Sequence, residues 1–353
     1  FEVATQNARD SGYFKAIEEA LDGRTEVNGV AFNLDDIVGP VKAYYTLDGQ
    51  FTSMPWNASS ATWFSNMNFL NAAGIDTPPA TWAEVDAACE AVMALDNAPA
   101  YCWTFPNHGW FFEQWLAQQD GLFANNGNGR DARATEVAFD SDAGLAVLNF
   151  LREQHDKGYL YYAGTQGGAS WDSVDQAFGG QQVAMAAYSS SDTTLYTQNG
   201  VENGYEVVSS FLPYNDVTGW TGNLIGGASL WLTNALSPEA EDGALTFLAW
   251  FTNTENSADW HQVTGYIPLR NSSVDLLTSE GWFEANPNQA VAFDQLNEST
   301  VTPASRAALL GTLPGIRNIV TQAIDTVLLS DADPATVLAD AAAEANTQVE
   351  EYN

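Results

Sequence analysis

The feature that most limits what this chain can fold into is its punctuation. Short apolar runs alternate with segments of helical periodicity, and each is closed by a recognisable stop or start signal. Thr81-Trp82-Ala83-Glu84, just after Pro78-Pro79, places a hydroxyl at an N-cap and a carboxylate three residues on, a capping box that predicts a helix to about residue 95. Ser237-Pro238-Glu239 and Asp333-Pro334 put a capping side chain before a proline whose fixed φ suits the first helical position. Helices are also predicted over 11–21, 33–45, 63–73, 109–119, 143–157, 173–179 and 255–263, several ending at glycine (Gly23, Gly74, Gly158). Strands are predicted over 1–4, 101–105, 183–187 and 226–232, with an extended stretch at 51–60 broken by Pro55 and a tight turn at Leu47-Asp48-Gly49-Gln50. Strands alternating with helices over 353 residues imply an α/β protein of two or three domains, its strands mostly parallel.

Charge narrows the partners. Eleven Lys and Arg stand against 45 Asp and Glu, a formal net charge of −34. A surface this negative repels phosphate backbones and anionic lipid heads, so nucleic acid and membrane surfaces are poor partners. With 45% hydrophobic residues the chain has ample material for a core, and no apolar run reaches the length of a membrane span. The opening Phe1-Glu2-Val3-Ala4 has neither Met nor a basic leader, so it reads as a processed terminus or a cut end. The two cysteines, Cys89 and Cys102, are either buried thiols or, in an oxidising compartment, a bond closing a short loop.

Motifs of common catalytic chemistry are missing. The three histidines have no partner at metal spacing; HExxH, GxSxG, the Walker loop and GxGxxG do not occur, and no metal or cofactor is expected. Asn125-Asn126-Gly127-Asn128-Gly129 reads as a solvated turn. What stands out is aromatic and small polar residues at breaks between elements: Trp56-Asn57-Ala58-Ser59-Ser60, Asn107-His108-Gly109-Trp110, Tyr188-Ser189-Ser190-Ser191-Asp192, Gly226-Gly227-Ala228-Ser229, Thr264-Gly265-Tyr266 and Arg317. Ring faces beside hydroxyls and accessible backbone N–H groups suit a small polyol or sugar.

These clusters resemble the extracellular solute-binding proteins of ABC importers, and among them the glycerol-3-phosphate-binding branch. The motifs carrying the resemblance are Met54-Pro55-Trp56-Asn57-Ala58-Ser59-Ser60, Pro78-Pro79-Ala80-Thr81-Trp82, Gly226-Gly227-Ala228-Ser229-Leu230-Trp231, Asp259-Trp260-His261-Gln262-Val263-Thr264-Gly265-Tyr266-Ile267-Pro268 and Leu313-Pro314-Gly315-Ile316-Arg317. The resemblance implies the type II periplasmic-binding-protein fold, two α/β lobes joined by a hinge: residues 1–57 with 225–278, and residues 58–224 with 279–353. The chain would cross between lobes near residues 56–60, 226–229 and 276–280. It further implies that the N-terminal part of the first lobe precedes Phe1, bringing an aromatic and an acidic ligand contact.

By the same resemblance Ser59 and Ser190 are hydroxyl contacts, Trp110 is a stacking plate, Gly227 offers backbone, Tyr266 a phenol, and Arg317 binds phosphate; Trp56 is taken with them. Asn107 stands where the family has a second tryptophan, which implies a roomier, more polar pocket. The implied function is capture of glycerol-3-phosphate or a related glycerophosphodiester by hinge closure, without chemistry. The implied protein is a periplasmic or extracellular monomer partnered by a membrane permease, with a lipid anchor through a segment not in this chain as one option. A neutral sugar or oligosaccharide as ligand, and a carbohydrate-active enzyme, are the alternatives.

Overall fold

The computed structural model describes residues 2–353. Its centre is a five-stranded sheet whose spatial order is Val207–Phe211, Ala61–Asn66, Val183–Ser189, Tyr101–Thr104 and Leu160–Tyr161. The first two pairings are antiparallel and the last two parallel. The sheet is therefore mixed, not mostly parallel. The difference arises at Ala61–Asn66, read from sequence as part of a helix over 63–73. Its six residues are all buried between two strands, and the helix proper, Met67–Ala72, begins only after Asn66 caps it. A strand buried on both faces shows no alternation, and periodicity cannot separate it from a buried helix.

Helices form where the capping signals put them. The Thr81–Glu84 box forms as written and opens helix Trp82–Met93. Ser237 and Asp333 cap Pro238–Phe251 and Pro334–Tyr352. Helix Leu313–Leu329 packs on Pro334–Tyr352 and carries Arg317 inward. Helix Gly109–Gln118 has all ten of its residues buried. Its glutamine amides donate across the fold: Gln114 Nε2 to the Leu224 carbonyl (2.8 Å) and Gln118 Nε2 to that of Leu212 (2.8 Å). Such pairing is what makes burial of an amide tolerable, and it locks the helix that presents Trp110.

Outside this sheet, strand Met54–Ser59 pairs antiparallel with Gly226–Leu230, and Pro55 sits at the register shift where a missing N–H does no harm. The turn at Asp48-Gly49 joins Thr46–Leu47 to Gln50–Phe51, both turn residues having positive φ. Several boundaries move. Glu2–Ala4, expected extended, is a 3₁₀ turn leading into helix Thr5–Asp10, and Phe1 lies outside the described residues. Residues 11–21 divide into strand Phe14–Lys15 and helix Ile17–Leu21, because Phe14 pairs with Thr233 across the chain. The helix expected over 33–45 begins only at Gly39, one residue before Pro40. The crossing expected near 276–280 is the end of helix Asn271–Ser279. No helix is long and apolar enough to cross a membrane among the described residues. Cys89 and Cys102 are disulfide-bonded.

Candidate functional site

A cavity of about 550 Å³ opens where these elements meet. The paired strands form one wall. Asn57 and Ser59, two residues apart and so on one strand face, both line it, beside Gly226 and Gly227. The glycines are required by contact. A Cβ on Gly226 would lie 2.8 Å from the Trp110 ring, and one on Gly227, at φ 132°, would lie 2.3 Å from the Asn57 carbonyl. Trp110 is thereby seated directly on the strand, its indole N–H donating to the Ile225 carbonyl (3.3 Å). Trp171, His108 and Tyr266 complete the ring faces around the cavity.

The polar end is built on Arg317. Its Nη1 donates to Glu2 (2.8 Å), and its Nε and Nη2 donate to Glu113 (3.0 and 2.6 Å). All three side chains are buried. Burial alone would lower the guanidinium's pKa; Glu113 and then Glu2 override that and hold it above its ordinary value. The other oxygen of Glu2 accepts from the Gly227 N–H (3.3 Å), so a carboxylate sits on the two groups taken from sequence as an anion site. A guanidinium has five N–H groups, and these contacts leave some for a ligand oxygen.

Ser189, Ser191 and Asp192 also line the cavity, at the turn between strand Val183–Ser189 and helix Thr193–Asn203. Burial, and more weakly Asp175, push the Asp192 carboxyl above its usual range. Burial also raises the Tyr266 phenol, and Asp192 and Glu2 add to it, so both carboxylates act on that ring. His108, the N-cap of helix Gly109–Gln118, accepts from the Trp110 N–H (3.2 Å); burial and then Arg317 lower its pKa to about 4, leaving it neutral at pH 7.

Of the residues singled out from sequence, Ser59, Trp110, Gly227, Tyr266 and Arg317 converge on this cavity. Three do not line it. Ser190 is turned away, its N–H donating to the Ser60 carbonyl (3.0 Å) and its hydroxyl accepting from the Ser60 N–H (3.3 Å); its neighbours Ser189 and Ser191 line the cavity instead. Trp56 is the unpaired residue of the bulge in its strand and packs on Trp260 and Phe251 (5.2 and 6.0 Å between ring centroids), lining a separate hollow. Asn107 is buried behind the wall, its amide donating to the Tyr162 hydroxyl (2.6 Å) and the Thr321 carbonyl (3.1 Å).

Glu2, Asn57, Trp171 and Asp192 were not singled out individually. Strand alternation from Ser59 would have found Asn57. Nothing local marks Glu2, whose partner Arg317 is 315 residues away.

The model of bacterial extracellular solute-binding proteins matches residues 2–291. The chain belongs to that family. The sn-glycerol-3-phosphate-binding periplasmic protein of Escherichia coli K12 is 29% identical over 356 residues, covering 99% of this chain and 78% of the relative. That of Salmonella typhimurium LT2 is 29% identical over 334 residues, covering 93% and 73%. Among solved structures, UgpB from Mycobacterium tuberculosis in complex with glycerophosphocholine superposes with a TM-score of 0.78 at 22% identity, covering 99% of this chain and 82% of that one. The cyclic α-maltosyl-1,6-maltose-binding protein of Arthrobacter globiformis gives 0.77 at 21%, covering 99% and 83%. The fold is the two-lobed one of periplasmic binding proteins, and the chain is a solute-binding protein of the ABC-importer type.

Proposed function

We propose that this protein captures a glycerophosphodiester and delivers it, chemically intact, to an ABC permease. The observation carrying the reading is the polar end of the cavity, where a buried guanidinium and the Gly227 N–H converge beside a tryptophan plate. A volume of about 550 Å³ suits a small solute. Asn57, Gly227 and Tyr266 belong to one expected lobe, and Ser59, Trp110 and Arg317 to the other, with the hinge strands between. A ligand touching both sets is gripped only when the lobes close, so it stabilises the closed state.

Charge favours a diester over glycerol-3-phosphate. Among the described residues Arg317 is the one permanent cation lining the cavity; Glu2 and Asp192 line it too, and Glu113 already holds the same guanidinium. A phosphomonoester would bring further negative charge into this site and would approach against the field of a −34 chain. A zwitterionic diester escapes both penalties. A neutral sugar escapes them as well, and the exposed faces of Trp110 and Trp171 suit it; this is the second reading.

Thermal unfolding of the chain with glycerophosphocholine, glycerol-3-phosphate or maltose separates the possibilities, since a ligand bound only by the native state raises Tm with its excess over Kd. The expected order is glycerophosphocholine, then glycerol-3-phosphate, with maltose inert and the diester recovered unhydrolysed. A shift from maltose alone overturns the proposal in favour of a sugar, and release of glycerol-3-phosphate from the diester would make the protein an enzyme.

A further inference from the structure

We propose that Asp192 is the specificity-determining residue that selects ligands carrying a cation, a quaternary ammonium in particular, at the end of the cavity away from the phosphate. The assignment rests on the glycerophosphodiester reading above and deepens it.

The argument begins with where each charge in the site is spent. The Arg317 guanidinium is held by Glu113 and Glu2, and Glu2 also takes the Gly227 N–H. These carboxylates have partners within the protein. Asp192 does not: among the described residues its side chain accepts from the Ser191 hydroxyl (2.7 Å), and no basic side chain forms an ion pair with it. It nevertheless lines the cavity and is half-buried. A partly buried carboxylate without a cation is costly, and the cost is relieved by a ligand that supplies one.

Position and surroundings agree with that role. Asp192 enters from the turn after Val183–Ser189, while Arg317 enters from helix Leu313–Leu329, so the two opposite charges come from different walls. Tyr266 lines the same cavity, within the field of both Asp192 and Glu2. Ring faces also line the cavity, those of Trp110, Trp171 and Tyr266, together with a neutral His108. Aromatic faces combined with a carboxylate are what a methylated ammonium requires, since it offers no N–H to donate and is attracted by ring quadrupoles and negative charge. The site thus has an anion pole and a cation pole in one enclosure, matched to a molecule with phosphate and ammonium on one short backbone.

Calorimetric titration of wild type and Asp192→Asn with glycerophosphocholine and with glycerophosphoinositol, a diester without the cation, tests this. Asparagine keeps the size of the side chain and an acceptor for Ser191. The substitution is expected to weaken glycerophosphocholine at least tenfold and glycerophosphoinositol less than twofold. On the wild-type protein, tetramethylammonium is expected to compete with glycerophosphocholine and to leave glycerophosphoinositol affinity unchanged, a readout independent of how the variant folds. Wild-type binding of glycerophosphocholine with an unchanged preference in Asp192→Asn and no competition by tetramethylammonium overturns the role of Asp192 and leaves the diester function standing. Binding of maltose and of neither diester overturns both.

Discussion

Arg317 shows why a residue's chemistry cannot be separated from what holds it. In a chain with 45 acids, an arginine tied up by carboxylates is unsurprising, yet here the ion pairs sit at the cavity wall. Glu113 orients the guanidinium from behind, and Glu2 sits on the cavity side with Gly227. Arg317→Ala therefore does more than delete a phosphate contact. It strands two buried carboxylates, which costs about 3–5 kcal/mol, and urea unfolding is expected to show that loss without any ligand present. A change under 1 kcal/mol would mean the carboxylates find water and that the triad is looser than the geometry indicates. For this reason loss of binding in Arg317→Ala does not by itself locate the phosphate, whereas Asp192→Asn leaves that triad untouched.

Elements of secondary structure are tied by features of very different range. The Thr81–Glu84 capping box is complete within four residues and needs nothing else to form. The Cys89–Cys102 bond then joins the helix it opens, Trp82–Met93, to strand Tyr101–Thr104, closing a loop over a separation of 13 residues. In the chain-entropy account a loop of this size contributes about 3 kcal/mol, which helps hold the edge region of the sheet in an oxidising compartment. Cys89→Ala/Cys102→Ala, or reduction under mild denaturant, is expected to lower stability by about that amount with little effect on ligand affinity. An equal stability of oxidised and reduced protein by urea titration would overturn the estimate. Strand Ala61–Asn66 is the opposite case. Its identity is set by partners at 183–189 and 207–211, and local patterning pointed to a helix.

At the scale of the molecule, the buried His261 and the half-buried His108 set a pH limit. Burial lowers His108 and His261 to about 4, against an ordinary value near 6.5; His261 is further fixed by a hydrogen bond between Nδ1 and the Tyr266 carbonyl (2.7 Å). Between the folded and unfolded values the unfolded chain binds more protons, so stability rises with pH across that window. Stability is therefore fully present above about pH 6.5 and is lost as pH falls toward 4, by up to about 3 kcal/mol for each histidine. Tm against pH for wild type and His261→Gln checks this; identical slopes from pH 6.5 to 4 would remove His261 from the account. The acidic surface adds an opposing trend, since protonating carboxylates relieves self-repulsion, so the difference between variants is the quantity to read.

What the sequence determined by itself was whatever closes within a few residues. The caps at Thr81, Ser237 and Asp333 and the turn at Asp48-Gly49 depend on side chains and backbone groups one or two turns apart, and they appear as written. The family motifs likewise brought Ser59, Trp110, Gly227, Tyr266 and Arg317 together. Tertiary structure decided which neighbour within a motif faces the cavity. Ser190 is spent on Ser60 while Ser189 and Ser191 line the cavity, and a one-residue bulge sends Trp56 to Trp260. It also decided that Glu2 meets Arg317, and that Asp192 is left without a cation. The reason is physical: in a strand or tight turn a shift of one residue reverses a side chain, and charge pairing across 315 residues depends on the whole path between them.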